Sequence, residues 1–214
     1  NQLRNKRRFD TARRLRAERD TLRYDSRLDA LTSVLNRKAL DRALEELEGD
    51  AGELSVVFVD VDHFKSINDT FGHSAGDRAL AALGRLLGDH VRPNDVVGRY
   101  GGEEFLVVLR DANVEVARRV AERIRQSIAE CAVPGLSRPI TLSAGVACRS
   151  TGESVPSLVA RADYALYSAK RAGRDRVIAA APPAVATGAE LTSEGFVTGV
   201  RASMTQRSGV CAAE

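Results

Sequence analysis

Asp60 and Asp62 close the apolar run LSVVFVDVD (residues 54–62), and Glu103 and Glu104 follow the glycine pair of RYGGEEF (residues 99–105). A short β-branched run ending in carboxylates reads as a buried strand that delivers acids at its C-terminal end. If the strand leaving the glycine pair is its neighbour, Asp60, Glu103 and Glu104 converge at one end of a sheet. Without a cation such a cluster repels itself. With Mg²⁺ or Mn²⁺ it becomes a set of hard oxygen ligands that leaves positions for phosphate and water. A lone Asp-x-Asp or Glu-Glu is ordinarily a solvated strand end, so the joint occurrence carries the metal reading. Side chains alternate along a strand, so Glu103 and Glu104 face the same way only if the turn distorts the strand start; one of them is expected to be peripheral.

The elements that must position these acids can be read around them. DVVGRY (95–100) and EEFLVVLR (103–110) flank Gly101-Gly102, which predicts a hairpin with a two-residue loop. Before the first strand, LDALTSVLNRKALDRALEELEGD predicts a helix ending near Thr32 to Ser33, a restart at Asn36 as cap, and a stop at Gly49. After it come a short helix, a glycine-punctuated loop and an amphipathic helix from about Ser74 to His90. A helix over 113–130, the strand ITLSAGVAC (140–148), a helix over 155–171 and a short strand at RVIAA complete the pattern. Strands and helices alternate, but the hairpin interrupts them. The fold class is an α/β (α+β) sandwich, with helices flanking a mixed central sheet.

Charge is unevenly spread along the 214 residues. Residues 1–27 carry ten Lys/Arg against four Asp/Glu, a net +6 in a chain that is +3 overall. The basic balance therefore belongs to the N-terminal arm, and the main domain is not expected to bind nucleic acid. That arm has no Gly or Pro and predicts a long solvated helix. Leu15 and Leu22, seven apart, leave a coiled coil and a lone polar helix both open. Cys131, Cys148 and Cys211 are odd in number and far apart, which indicates neither a disulfide framework nor a zinc knuckle and fits a reducing cytoplasm. No apolar stretch approaches membrane-spanning length, so no membrane contact is expected. The chain starts at Asn1, not Met, and reads as a fragment to which an upstream sensor could belong. The Pro, Ala, Gly, Ser and Thr composition of residues 179–214 predicts a disordered tail.

The segments LDALTSVLNR, FVDVDHFKSINDTFGHSAGD, RYGGEEF, ITLSAGVA and RADYALYSAKRAGRDR stand in the order found in the GGDEF-domain family of diguanylate cyclases, in the variant whose signature reads GGEEF. The resemblance covers residues 28–178. It implies a fold like that of polymerase palms and class III nucleotide cyclases, agreeing with the mixed sheet. It implies condensation of two GTP into cyclic di-GMP with release of two pyrophosphates, across a homodimer because each domain holds one GTP. By the family pattern Asp60, the carbonyl of Val61, Glu103 and Glu104 hold Mg²⁺ or Mn²⁺, two ions per active site. Glu103 is the candidate to assist deprotonation of the ribose 3′-hydroxyl, with an activated water as the alternative.

The same resemblance places guanine at Asn68 and Asp77. A carboxylate can accept the N1–H and N2–H₂ donors of guanine together, and an amide can donate to O6. Phosphates fall to His63, Phe64 and Lys65 at an apparent helix start, and to Lys170 and Arg174 in AKRAGR. Arg92-Pro-Asn-Asp95, five residues before the glycine pair, matches the family's inhibitory product site, with Arg123 as a second contributor. DALT at Asp29 to Thr32 resembles the family's junction motif, although Ser33 stands where the family usually has Gly. Two rival functions are a non-enzymatic cyclic di-GMP receptor using the Arg92/Asp95 site and a dimerising module that needs no carboxylates.

Overall fold

All eight residues of β1 (Leu54–Val61) are buried, as an apolar, β-branched run in mid-sheet requires. The structure, a computed structural model, describes residues 27–50 and 52–183. The basic arm with its helix or coiled-coil expectation, Cys211 and the tail from residue 184 lie outside the described residues. β1 pairs antiparallel with both β3 (Glu104–Arg110) and β4 (Leu142–Cys148). β2 (Val96–Arg99) extends the sheet beyond β3, and β5 (Val177–Ala179) runs parallel to β4 at the other edge, giving the order β2-β3-β1-β4-β5.

Alternation along the strands sends side chains to two cores. Val57, Val59, Val61, Phe105 and Val107 face α2 (Phe64–Phe71), α3 (His73–Asp89) and α4 (Val114–Glu130), meeting Ile67, Leu83 and Ile124. Val56, Phe58, Leu106 and Val108 face α1 (Arg37–Glu48) and α5 (Val155–Arg171), meeting Leu40, Leu47, Leu158 and Leu166. α5 lies so close to β4 that a Cβ on Gly145 would come within 2.0 Å of the Ala162 carbonyl oxygen.

The expected cap at Asn36 forms, and a second is found at Asn113. Asn36 accepts from the Ala39 N–H at 3.0 Å to start α1, which ends at Gly49, and Asn113 does the same for α4 through Val116. Three local expectations are corrected. Residues 27–35 form a turn instead of a helix end, because Asp29 captures both the N–H and the hydroxyl of Thr32, at 3.0 and 2.7 Å. The loop before the amphipathic helix shrinks to Gly72, whose φ of 80° lets α2 break directly into α3. The hairpin loop has four residues, Tyr100 to Glu103, between Arg99 and Glu104. At the C-terminus the fold runs slightly past the expected boundary, since the Ala180 N–H donates to the Val146 carbonyl at 2.7 Å.

Candidate active site

The β1–β3 register sets Asp60 directly opposite Glu104. Both belong to the alternation that points toward α1 and α5, so they share a face. Glu103 lies in the loop, and its backbone carbonyl accepts from the Val61 N–H at 3.2 Å. The structure therefore brings Glu104 across from Asp60, and ties Glu103 to the strand end through its backbone. Asp60 is only 4% exposed. Burial pushes its carboxyl above the usual carboxylate range, against the pull of Lys170, and neighbouring Asp62 adds to the rise. Lys170, near the end of α5, places Nζ 2.6 Å from Asp60 Oδ2.

Among the described residues no group of three or more His, Cys, Asp or Glu side chains forms a ready-made metal cage. Mg²⁺ does not require one, since it is typically held by one or two carboxylates together with substrate phosphates. The donors present fit such an ion: a buried carboxylate facing a second across one register pair, with a lysine ammonium supplying the cation in this structure.

The hairpin loop is shaped for Glu104. A Cβ on Gly101 would sit 2.3 Å from Glu104 Oε2, so a side chain there would displace the Glu104 carboxylate. Neither Gly101 nor Gly102 has a positive φ. Arg99 fixes the loop from beneath: Nη2 donates to the Gly102 carbonyl at 2.6 Å, and Nη1 donates to Asp29 at 3.1 Å. Arg99 thus joins the Asp29–Thr32 turn to the glycine pair, a role that becomes visible only once residues 70 apart in sequence meet. Arg37 caps the other side, its guanidinium 3.7 Å from the centroid of the Tyr100 ring. A groove of about 830 Å³ between α1 and α5 reaches Glu104, with Phe58, Tyr100 and Val159 in its wall.

Asn68 lies in α2 and Asp77 in the first turns of α3, on the two sides of the break at Gly72. The Asn68 carbonyl accepts from the Gly72 N–H at 2.9 Å, and its side-chain amide lies against α3. A Cβ on Gly76 would stand 2.0 Å from Asn68 Oδ1. Gly76 is the residue that admits the amide beside Asp77. His63, at φ 55°, precedes α2, whose first turn carries no side-chain cap. Phe64 is buried in the core while Lys65 is exposed, so of the His63–Lys65 segment Phe64 offers a backbone and Lys65 a charge. Arg174 is exposed just beyond α5.

Arg92 and Asp95 lie in the turn between α3 and β2. Asp95 accepts from the Arg92 N–H at 2.8 Å and from the Arg110 N–H at 3.0 Å, which holds the turn against β3. A cavity of about 310 Å³ is lined by Arg92, Asp95, Arg119 and Arg123 among others. Arg123 Nη2 donates to the His90 carbonyl at 2.9 Å. Sequence reasoning missed Arg119, although its four-residue spacing from Arg123 on one helix was the available signal.

The central strand of the mixed sheet thus ends in a buried aspartate set against a Gly-Gly-Glu-Glu hairpin. The chain belongs to the GGDEF family: residues 26–176 match the family described as "Diguanylate cyclase, GGDEF domain". It is 43% identical over 155 residues to diguanylate cyclase DgcP of Pseudomonas aeruginosa, covering 70% of this chain and 23% of that protein. It is 41% identical over 165 residues to DgcM of Escherichia coli, covering 75% of this chain and 40% of that protein. The chain therefore spans less than half the length of these relatives. The coiled coil and GGDEF domain of DgcB from Caulobacter crescentus, solved in complex with c-di-GMP, superposes with a TM-score of 0.75 at 35% identity, covering 84% of this chain and 98% of that one. Among the described residues no helix is long and apolar enough to cross a membrane.

Proposed function

We propose that this chain is the cyclase module of a diguanylate cyclase, joining two GTP into cyclic di-GMP with release of two pyrophosphates. The observation that carries the reading is the register pair Asp60–Glu104 at the end of a buried strand, with Lys170 on Asp60. Asp60, the Val61 carbonyl, Glu103 and Glu104 are the groups to hold Mg²⁺ or Mn²⁺, two per site. When bound, the ions neutralise phosphate charge and make the attacking hydroxyl easier to deprotonate. Asn68 and Asp77 read guanine, and an aspartate facing its N1–H and N2–H₂ favours GTP over ATP. His63, Phe64 and Lys65, with Lys170 and Arg174, bind the phosphates.

Each ribose 3′-oxygen attacks the α-phosphorus of the GTP held by the other copy. A new O–P bond forms, the bond from the α-phosphorus to the β-bridging oxygen breaks, and pyrophosphate leaves with that electron pair. Glu103, or a water beside it, takes the hydroxyl proton. Because the two nucleotides must face each other, a two-fold homodimer completes the site. Cyclic di-GMP is also the inhibitor, held by Arg92, Asp95 and Arg123, and the reaction belongs to the cytoplasm, where GTP is available.

The test is incubation of the dimer with GTP and Mg²⁺ followed by nucleotide chromatography. Cyclic di-GMP and pyrophosphate in a 1:2 ratio are expected. A confirmed dimer that leaves GTP unchanged overturns the reading and leaves receptor or dimerising roles. Arg92→Ala should keep turnover and lose product inhibition; unchanged inhibition would remove Arg92 from that site.

A further inference from the structure

Three consecutive residues after α5 occupy the left-handed region: Gly173 at φ 113°, Arg174 at 63° and Asp175 at 45°. Glycine adopts such angles freely, whereas a side chain's Cβ makes them unfavourable. Arg174 and Asp175 are therefore held there by their surroundings. One restraint is Asp62, which is 4% exposed: its Oδ2 accepts from the Asp175 N–H at 3.0 Å, and its Oδ1 from Ser143 Oγ at 2.7 Å. A second is the end of α5 itself, where the Arg174 N–H donates to the Ala169 carbonyl at 3.0 Å, and a third comes from α4, where Arg125 Nη1 donates to Asp175 Oδ1 at 2.7 Å. Arg125 is itself fixed, its Nε and Nη2 donating to Glu122 at 3.1 and 2.7 Å.

We propose that Arg125 is a positioning residue: gripped by Glu122 and bonded to Asp175, it holds the 173–175 turn in its strained conformation and so aims Arg174 at the triphosphate. Arg125 acts through Arg174 and does not touch the nucleotide. The proposal rests on the reading of Arg174 as a phosphate ligand. The fork of a guanidinium is essential to it, because separate nitrogens serve Glu122 and Asp175 at once, which one lysine ammonium cannot do with the same geometry. Freed of the pair, the turn gains access to unstrained conformations in which Arg174 points elsewhere, so nucleotide binding weakens while Asp60, Glu103 and Glu104 are unchanged.

The experiment is steady-state kinetics with GTP on dimers of Arg125→Ala, Arg125→Lys, Asp175→Asn, Arg174→Ala and the double variant Arg125→Ala/Arg174→Ala, each with a thermal melt. Arg125→Ala and Asp175→Asn are expected to raise KM for GTP about tenfold with kcat within about twofold of the parent, and Arg125→Lys to fall between. With Arg174 already replaced, Arg125→Ala should add less than about twofold, since it has no partner left to aim. A merely structural role predicts effects that multiply, and that result overturns the proposal. So does a KM untouched by Arg125→Ala while Arg174→Ala raises it, which leaves the phosphate reading intact. If Arg174→Ala itself leaves KM unchanged, both readings fall. Should Arg125→Ala not fold, Asp175→Asn carries the same comparison, because it keeps the backbone bond to Asp62.

Discussion

The two ends of the central sheet handle charge in opposite ways. Where β1 begins, charged groups close the chain: Arg149 donates to the carbonyls of Leu47, Asp50 and Gly52, Glu48 accepts from the Val155 N–H at 2.7 Å, and Glu153 binds Arg161 at 2.7 Å and the Ser150 N–H at 2.9 Å. Where β1 ends, Asp60 is buried with its carboxyl pushed upward, and His63, Arg174 and Asp175 occupy left-handed backbone. One end joins most of its charges to partners, although Arg110, opposite Leu54, keeps a buried Nε without a hydrogen-bond partner and Asp111 beside it sits at φ 48°. The other holds charge and backbone in unfavourable states, the condition expected of a site that waits for ligands.

The largest effect that can break this contrast is chemical. Asp60→Asn, which keeps shape and removes the charge proposed to hold the metal, is expected to lower turnover about a thousandfold or more while the melting temperature stays within about 3 °C of the parent. Turnover assays beside calorimetry decide it; a collapse of stability would show that Asp60 serves the fold first. The converse experiment lies at the other end. Arg149→Ala leaves three carbonyls without their shared donor and should cost about 2 kcal/mol in urea unfolding, with kcat of the folded enzyme unchanged. An equal loss of kcat would remove the division of labour between the two ends.

A smaller effect belongs to the corner proposed to read guanine. Gly76→Ala drives a methyl into Asn68 Oδ1, and since a side-chain amide can turn aside, the fold should survive while KM for GTP rises about fivefold. Loss of folding instead of affinity would make the glycine a packing residue only.

Much of this contrast was readable in the sequence because its carriers are local. An eight-residue apolar run predicts β1, the Asn36 cap predicts the start of α1, and the glycine pair predicts the hairpin. What escaped depends on contacts between distant residues. Arg99 has no evident task until Asp29, 70 residues earlier, is folded against it. The choice between Glu103 and Glu104 turns on a register that alternation could not fix, because the loop has four residues where the glycine pair suggested two. The Asp29–Thr32 capture replaced an expected helix end with a turn, and Arg125 gains its second partner 50 residues away.

The pH dependence of stability sharpens the comparison further. Hydrogen bonds from Arg161 and the Ser150 backbone hold the Glu153 carboxyl below its ordinary value even though burial alone would raise it. Arg125 holds Glu122 down, and Thr32 and Arg99 hold Asp29 down against its burial. A folded-state pKa below the unfolded one gives stability that is present above the unfolded value and lost as pH falls through the folded value. Through these three groups urea midpoints should decline as pH falls below about pH 4, while Asp60, whose burial raises its carboxyl, works in the opposite direction. Glu153→Gln should remove part of that decline, and an unaltered slope would deny the Glu153 contacts their stabilising role.

Ser33 supplies the smallest and most discriminating case. It sits at φ 59°, outside both sheet ends, in the turn where the Ser33 N–H donates to the Asp29 carbonyl at 2.9 Å and the Asp29 N–H to the Val34 carbonyl at 2.8 Å. The turn is formed despite the residue, since Asp29 still binds Thr32 and Arg99. A left-handed residue with a Cβ costs about 1–2 kcal/mol, and glycine returns part of that gain through about 0.5–1 kcal/mol of extra unfolded-chain entropy. Ser33→Gly should therefore stabilise the protein by about 0.5–1 kcal/mol, seen as a rise of about 2 °C in melting temperature. If strain has a task only beside the carboxylates, kcat and KM will not move. A fall in kcat accompanying the gain in stability would mean that the strained turn, through Asp29 and Arg99, also sets the glycine loop, and the functional end of the molecule would then extend to the junction.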